Sequence, residues 1–167
     1  MPDHVLGDGL IGRVWQMDDR LIHAQGTAIR ASCAQLSAPQ LQALQQSVAR
    51  ACQLPRSGWG RKAMAHAEIF SLLAGAADDP VLIHALSSGA GLARQLMVTV
   101  GPAVSGMTAS SRQRFLVCLC AGDPEGAARE MESHLYALNF MGRLATSERR
   151  ASSGRCRRIG VATGRSQ

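Results

Sequence analysis

The sequence predicts an all-α fold, an antiparallel bundle of about six helices, and three observations predict it. Apolar residues make up 46% of the 167-residue chain, yet only three Phe, two Trp and one Tyr are among them. The core is therefore built from Leu, Ala, Val and Met, most of which lose little rotamer freedom in a helix. Apolar positions recur at spacings of three and four, and Gly, Pro, Ser and Asp punctuate them as helix ends and starts. No strand competes: the nearest candidate, Met97 to Val100, sits inside a helical pattern.

Residues 1 to about 15, with Pro2, Gly7 and Gly9, read as a loose leader. A first helix covers much of Ile11 to Ala34, weakened at Gly26 by about 1 kcal/mol relative to Ala. Ser37 followed by Gln40 forms a capping box, and Leu41, Leu44, Val48 and Cys52 mark a second helix to about Leu54. Pro55, Ser57 and Gly58 break the pattern. A third helix follows from about Gly60 to Ala74, with Met64, Ile69, Phe70 and Leu73 as its apolar candidates.

Asp79 caps the fourth helix, with Pro80 at the first helical position, where its missing N–H is not needed. It runs to about Val100 and is stopped by Gly101 and Pro102. Ser105, Gly106, Thr108, Ser110 and Ser111 then read as a polar connector before a short fifth helix, about Ser111 to Ala121. Gly122 stops that helix, and Asp123 and Pro124 start the sixth. The sixth extends to about Ala145, with Ala128, Met131, Leu135, Leu138 and Met141 or Gly142 on one stripe.

Length permits one well-buried domain, expected over residues 16–145. The net charge of +6 sits mostly in the tail, residues 146–167, where six of the 18 basic residues face a single one of the 12 acidic residues. The rest carries twelve against eleven, so the body is nearly neutral. The tail reads as a basic, disordered segment rather than a grip on nucleic acid. Five cysteines without C-x-x-C spacing suggest buried free thiols, not a disulfide framework or zinc knuckle. With neither a signal-peptide pattern nor an apolar run of roughly 18 residues, the reading is cytoplasmic, with no membrane contact.

The stretch Arg112 to Leu135, RQRFLVCLCAGDPEGAAREMESHL, resembles the C-terminal signature of FCD domains, the effector-binding halves of FadR-type GntR transcription regulators. Gly122, Asp123, Ala127, Ala128, His134 and Leu135 carry the likeness. Ala65 to Leu82 is similar to the family segment Asp-x-x-Phe-His, with Phe70 as its Phe. Ala28 to Leu44 is similar to the family's entry into the second helix. The resemblance covers about residues 20 to 145.

It implies a homodimer that binds a small carboxylate-type metabolite. Many FCD domains hold a divalent metal with one Asp and three His projecting inward. Aligned on Phe70 and Gly122, those positions are Ala67, Ser71, Arg112 and His134, so only His134 survives and no metal or other cofactor is expected. His66, one residue or about 100° around the helix from Ala67, does not simply replace it.

The candidate ligand-binding residues are thus Ser71, Arg94, Arg112 and His134. Arg112 either clamps a carboxylate with its planar fork where the cation would be or points to solvent. Arg94 faces the cavity or lies on a solvated helix face. His134 is either a hydrogen-bonding group in the pocket or a satisfied core histidine.

GntR regulators read DNA through an N-terminal winged helix-turn-helix. The 10 to 20 residues ahead of the first helix are too few for one, so DNA contact is expected only through a domain not in this chain. A free-standing ligand-binding or dimerising module is the alternative. No paired carboxylates, G-x-S-x-G or G-x-x-x-x-G-K-[ST] motif supports an enzyme.

Overall fold

The computed structural model describes residues 19–161, and side chains as far as Glu148. Six α-helices follow one another: α1 Asp19–Cys33, α2 Ala38–Gln53, α3 Trp59–Ala74, α4 Pro80–Val100, α5 Ser105–Cys120 and α6 Pro124–Val161. Single 3-10 turns at Arg56–Gly58 and Pro102–Val104 lead into α3 and α5. No strand occurs among the described residues. The all-α expectation holds, and the expected leader lies outside the described residues.

The local signals act as expected at three junctions. Gln40 Oε1 accepts from the Ser37 backbone N–H at 2.9 Å and from its hydroxyl at 2.8 Å, tying down the start of α2. Asp79 Oδ1 accepts from Val81 N at 2.8 Å and caps α4. Between α5 and α6, Gly122 takes φ 69°, the left-handed region open to glycine. The Gly122 N–H bonds back to Leu119 O at 3.0 Å and the Asp123 N–H to Cys118 O at 2.9 Å, which closes the end of α5. Asp123 then turns to cap α6 at Gly126 N, 2.8 Å away.

Two boundaries differ. The segment expected as a polar connector is helical from Ser105, because Ser105, Thr108 and Ser111 fall on one face of α5 and are buried. Burial against neighbouring helices outweighs the weak helix preference of Ser and Thr. At the other end, α6 continues past Ala145 to Val161, through most of the segment expected as a tail. Thr146 and Ser147 do not break it: their hydroxyls bond back to Gly142 O and Leu144 O at 2.9 and 2.8 Å.

The core is aliphatic, with Ile22, Ile29, Leu44, Val48, Leu73, Leu86, Leu96 and Leu135 essentially inaccessible. It lies where α6 packs on α1 and α5, and where α3 packs on α2 and α4. The α6 stripe of Ala128, Met131, Leu135 and Leu138 is wholly buried, as expected, whereas Met64 on α3 is exposed. Gly26 is the site of a close approach. A Cβ there would collide with the Glu132 carboxylate of α6, and one at Gly89 would collide with the Gln25 amide.

The cysteines depart from expectation. Cys33, Cys52 and Cys118 are half-buried and Cys120 is exposed, and all four are free. Burial still pushes the Cys33 thiol up to about 12. By length and composition α4 could cross a membrane, but Leu86, Ala93, Leu96 and Met97 are packed into the bundle while Ser87, Ser88, Arg94 and Gln95 face outward.

Candidate functional site

Helix α3 has two working faces, and the four expected site residues divide between them. Ser71 and Arg94 are exposed and line an open groove of about 470 Å³ between α3 and α4, with Met64, Ala67, Glu68 and Gly91. Arg112 and His134 lie in the interior, at 0% and 3% exposure. Ser71 and Arg94 do not join them.

The residues of α3 that meet Arg112 are His66 and Phe70, one helical turn apart and both at 0% exposure. Arg112 Nε donates to His66 O at 3.2 Å, and the guanidinium carbon lies 5.7 Å from the centre of the Phe70 ring. Arg112 Nη1 donates to Met131 Sδ of α6 at 2.8 Å, and Nη2 has no partner. Three helices thus converge: α3 brings His66 and Phe70, α5 brings Arg112, and α6 brings Met131 and His134.

Arg112 is a buried cation without an acid of its own. Glu130 is the carboxylate whose field reaches it, but Glu130 is taken by Arg114 through paired bonds of 2.9 and 2.8 Å. Those bonds hold the Glu130 carboxyl below its usual range. Burial lowers Arg112 to about 10, so it stays charged at neutral pH. An unpaired charge in a low-dielectric interior costs several kcal/mol. One carbonyl, a thioether and a ring face offset only part of that.

Both histidines are neutral beside it. Burial, then the charges of Arg112 and Lys62, lowers His66 to about 4. Burial, then Arg112, His66 and Arg114, lowers His134 to about 2. Neither ring nitrogen of either histidine has a hydrogen-bond partner. Each neutral ring therefore offers one unused N–H and one unused lone pair. The set can take up an anion through the guanidinium and a further oxygen through an imidazole.

As a metal site it is poor. Among the described residues no group of three or more His, Cys, Asp or Glu side chains that could hold a metal comes together, and the charge of Arg112 acts on both His66 and His134. His23 and His84 are exposed, away from the cluster.

The sequence pattern does not single out His66, because the resemblance aligns its neighbour Ala67. The signal that finds it is the spacing of an inward pair one turn apart, here His66 and Phe70 rather than Ala67 and Ser71. A one-residue shift of register turns the chosen pair by about 100° around the same helix.

The described helices thus close an all-α bundle around a buried polar cluster whose strongest group lacks a counter-ion. The chain belongs to the FCD domain family, whose profile matches residues 25–137. FCD domains are the effector-binding, regulatory domains of GntR-type regulators and not a known enzyme family. No curated protein and no solved structure gives a significant match.

Proposed function

We propose that this chain is the effector-sensing and dimerising domain of a cytoplasmic FadR-type GntR regulator. Its effector is a small organic acid, held by Arg112 where the resemblance places a metal ion. DNA contact belongs to a winged-helix domain separate from the described helices. The carrying observation is the full burial of Arg112 with Nη2 unpartnered and no acid of its own.

The geometry suits a carboxylate. With Nε fixed by the His66 carbonyl, Nη1 and Nη2 form the end of the planar fork, and a thioether is a weak acceptor that a carboxylate oxygen readily displaces from Nη1. In this reading Arg112 and His134, two of the four positions that the resemblance gives to metal ligands, keep an inward role, and His66 joins them from α3. Arg112 then supplies as a fixed charge the attraction that relatives obtain from a cation.

Calorimetric titration of the protein with small carboxylic acids tests this. Arg112→Met, which keeps the volume and removes the charge, is expected to abolish binding. Unchanged binding by that variant would remove Arg112 from the site. Light scattering of the purified protein is expected to give a dimer.

A further inference from the structure

The outer groove between α3 and α4 is open along much of its length. Beside the hollow of about 470 Å³ lies a second of about 510 Å³, which shares Met64, Gly91 and Arg94 with it and reaches Val98. Met64 and Val98 stand exposed on its walls. Helix α4 is apolar enough to cross a membrane, yet only 28% of that stretch is buried. A Cβ at Gly91, in the middle of α4, would meet nothing within 4 Å. Glycine there weakens the helix relative to alanine, and no contact among the described residues requires it. The two walls also carry opposite charges. Arg94 on α4 has no ion pair among the described residues. Glu68 on α3 accepts from Ser47 Oγ at 2.8 Å and pairs with Arg50 at 3.5 Å, both through Oε2, which leaves Oε1 open.

We propose that this groove is the face on which a second copy of the chain docks about a two-fold axis; the inference rests on the dimerising reading above and names its surface. Two-fold pairing needs a surface complementary to itself, and this one carries a cation and an acid on opposite walls, and a protruding Met64 beside the hollow at Gly91. Helices α3 and α4 run antiparallel: a short connection joins Ala74 to Pro80, and at the far end Trp59 Nε1 donates to Met97 O at 2.8 Å. An axis through the groove near Ala67 and Gly91 therefore carries Arg94 of one copy over Glu68 and Ser71 of the other. It carries Met64 over the exposed Ser87 and Ser88 of the other, next to Gly91. Each contact occurs twice, so one charge pair and one apolar knob per chain serve the whole interface.

Sedimentation equilibrium on the full chain measures the dimer dissociation constant, and circular dichroism melts establish that each variant is folded. Arg94→Glu sets like charges against each other twice and is expected to weaken the dimer at least ~100-fold. Adding Glu68→Arg to that variant is expected to restore most of the loss. Gly91→Trp, which fills the groove, is expected to give a monomer. Gly91→Ala is expected to raise the melting temperature of the dilute protein and yet weaken the dimer, a combination that a glycine needed only within the chain does not produce. Unchanged dimerisation in both Arg94→Glu and Gly91→Trp would overturn this face while leaving the dimerising reading in place. Failure of the double charge reversal to restore the dimer would overturn the pairing of Arg94 with Glu68. A parent chain that is monomeric at every concentration would overturn the face and the dimerising reading together.

Discussion

The two faces of α3 hold the same chemistry in opposite settings. On the outer face, Arg94 and Ser71 stand in an open groove and are exposed. On the inner face, Arg112 has lost its water altogether, beside two histidines whose ring nitrogens have no partners. An exposed guanidinium competes with solvent for every anion it meets, and such contacts contribute little. A buried one interacts through a low dielectric and carries a desolvation penalty that a bound carboxylate offsets. On the proposed reading, the same residue type is a weak surface contact in one place and an anion site in the other.

The comparison breaks most directly at the two arginines. Arg112→Met is expected to weaken carboxylate binding by ~100-fold or more. It is also expected to raise the melting temperature of the unliganded protein, because replacing an uncompensated buried charge by an apolar side chain of similar volume is neutral to stabilising by about 1–4 kcal/mol. Arg94→Met is expected to change affinity less than about threefold. Equal losses in the two variants, read by calorimetry, would move the site to the groove.

Acidification sharpens it next. Burial and the charge of Arg112 hold His66 down at about 4, whereas the unfolded chain protonates its histidines near 6.5. The unfolded state therefore binds more protons between those values, and stability is full above pH 6.5 and falls as the pH drops toward 4. For His66 the loss is on the order of 3 kcal/mol, and His134 adds to it in the same direction. Urea unfolding between pH 7.5 and 4.5 is expected to show this slope, flattened in His66→Gln. A slope unchanged in that variant would show that His66 is not the group responsible.

The close helix approaches give a smaller effect. Gly89→Ala is expected to destabilise by about 2 kcal/mol, since the Gln25 amide it would displace is fully buried and donates to Ala85 O at 2.6 Å. Gly26→Ala is expected to cost a similar amount, because the colliding Glu132 Oε1 is itself buried. Smallest of all, Ser71→Ala is expected to leave stability within about 0.5 kcal/mol of the parent and affinity unchanged. Denaturant midpoints separate Ser71→Ala from the other two.

The helix ends were legible because their chemistry is local. Ser37 with Gln40, Asp79 with Pro80, and Gly122 with Asp123 each satisfy backbone groups within a few residues, and each appears where the sequence puts it. Gly26 was legible as a weak point in α1 but not as a packing site, since the Glu132 that requires it lies on another helix. The start of α5 was missed for the same reason: Ser105, Thr108 and Ser111 read as a connector until the helices that bury them are in place.

By itself, the sequence determined an all-helical chain, its caps, the aliphatic stripes, and the family through the Gly122–Asp123 junction and His134. Those depend on neighbours along the chain or on a strict period. Only the tertiary structure decided that His66 and Phe70, not Ala67 and Ser71, face Arg112, and that Arg112 is dry while Arg94 is wet. A helix turns about 100° per residue, so one residue of register decides whether a pair meets Arg112 or the groove. Which face is inner is set by helices far away in sequence.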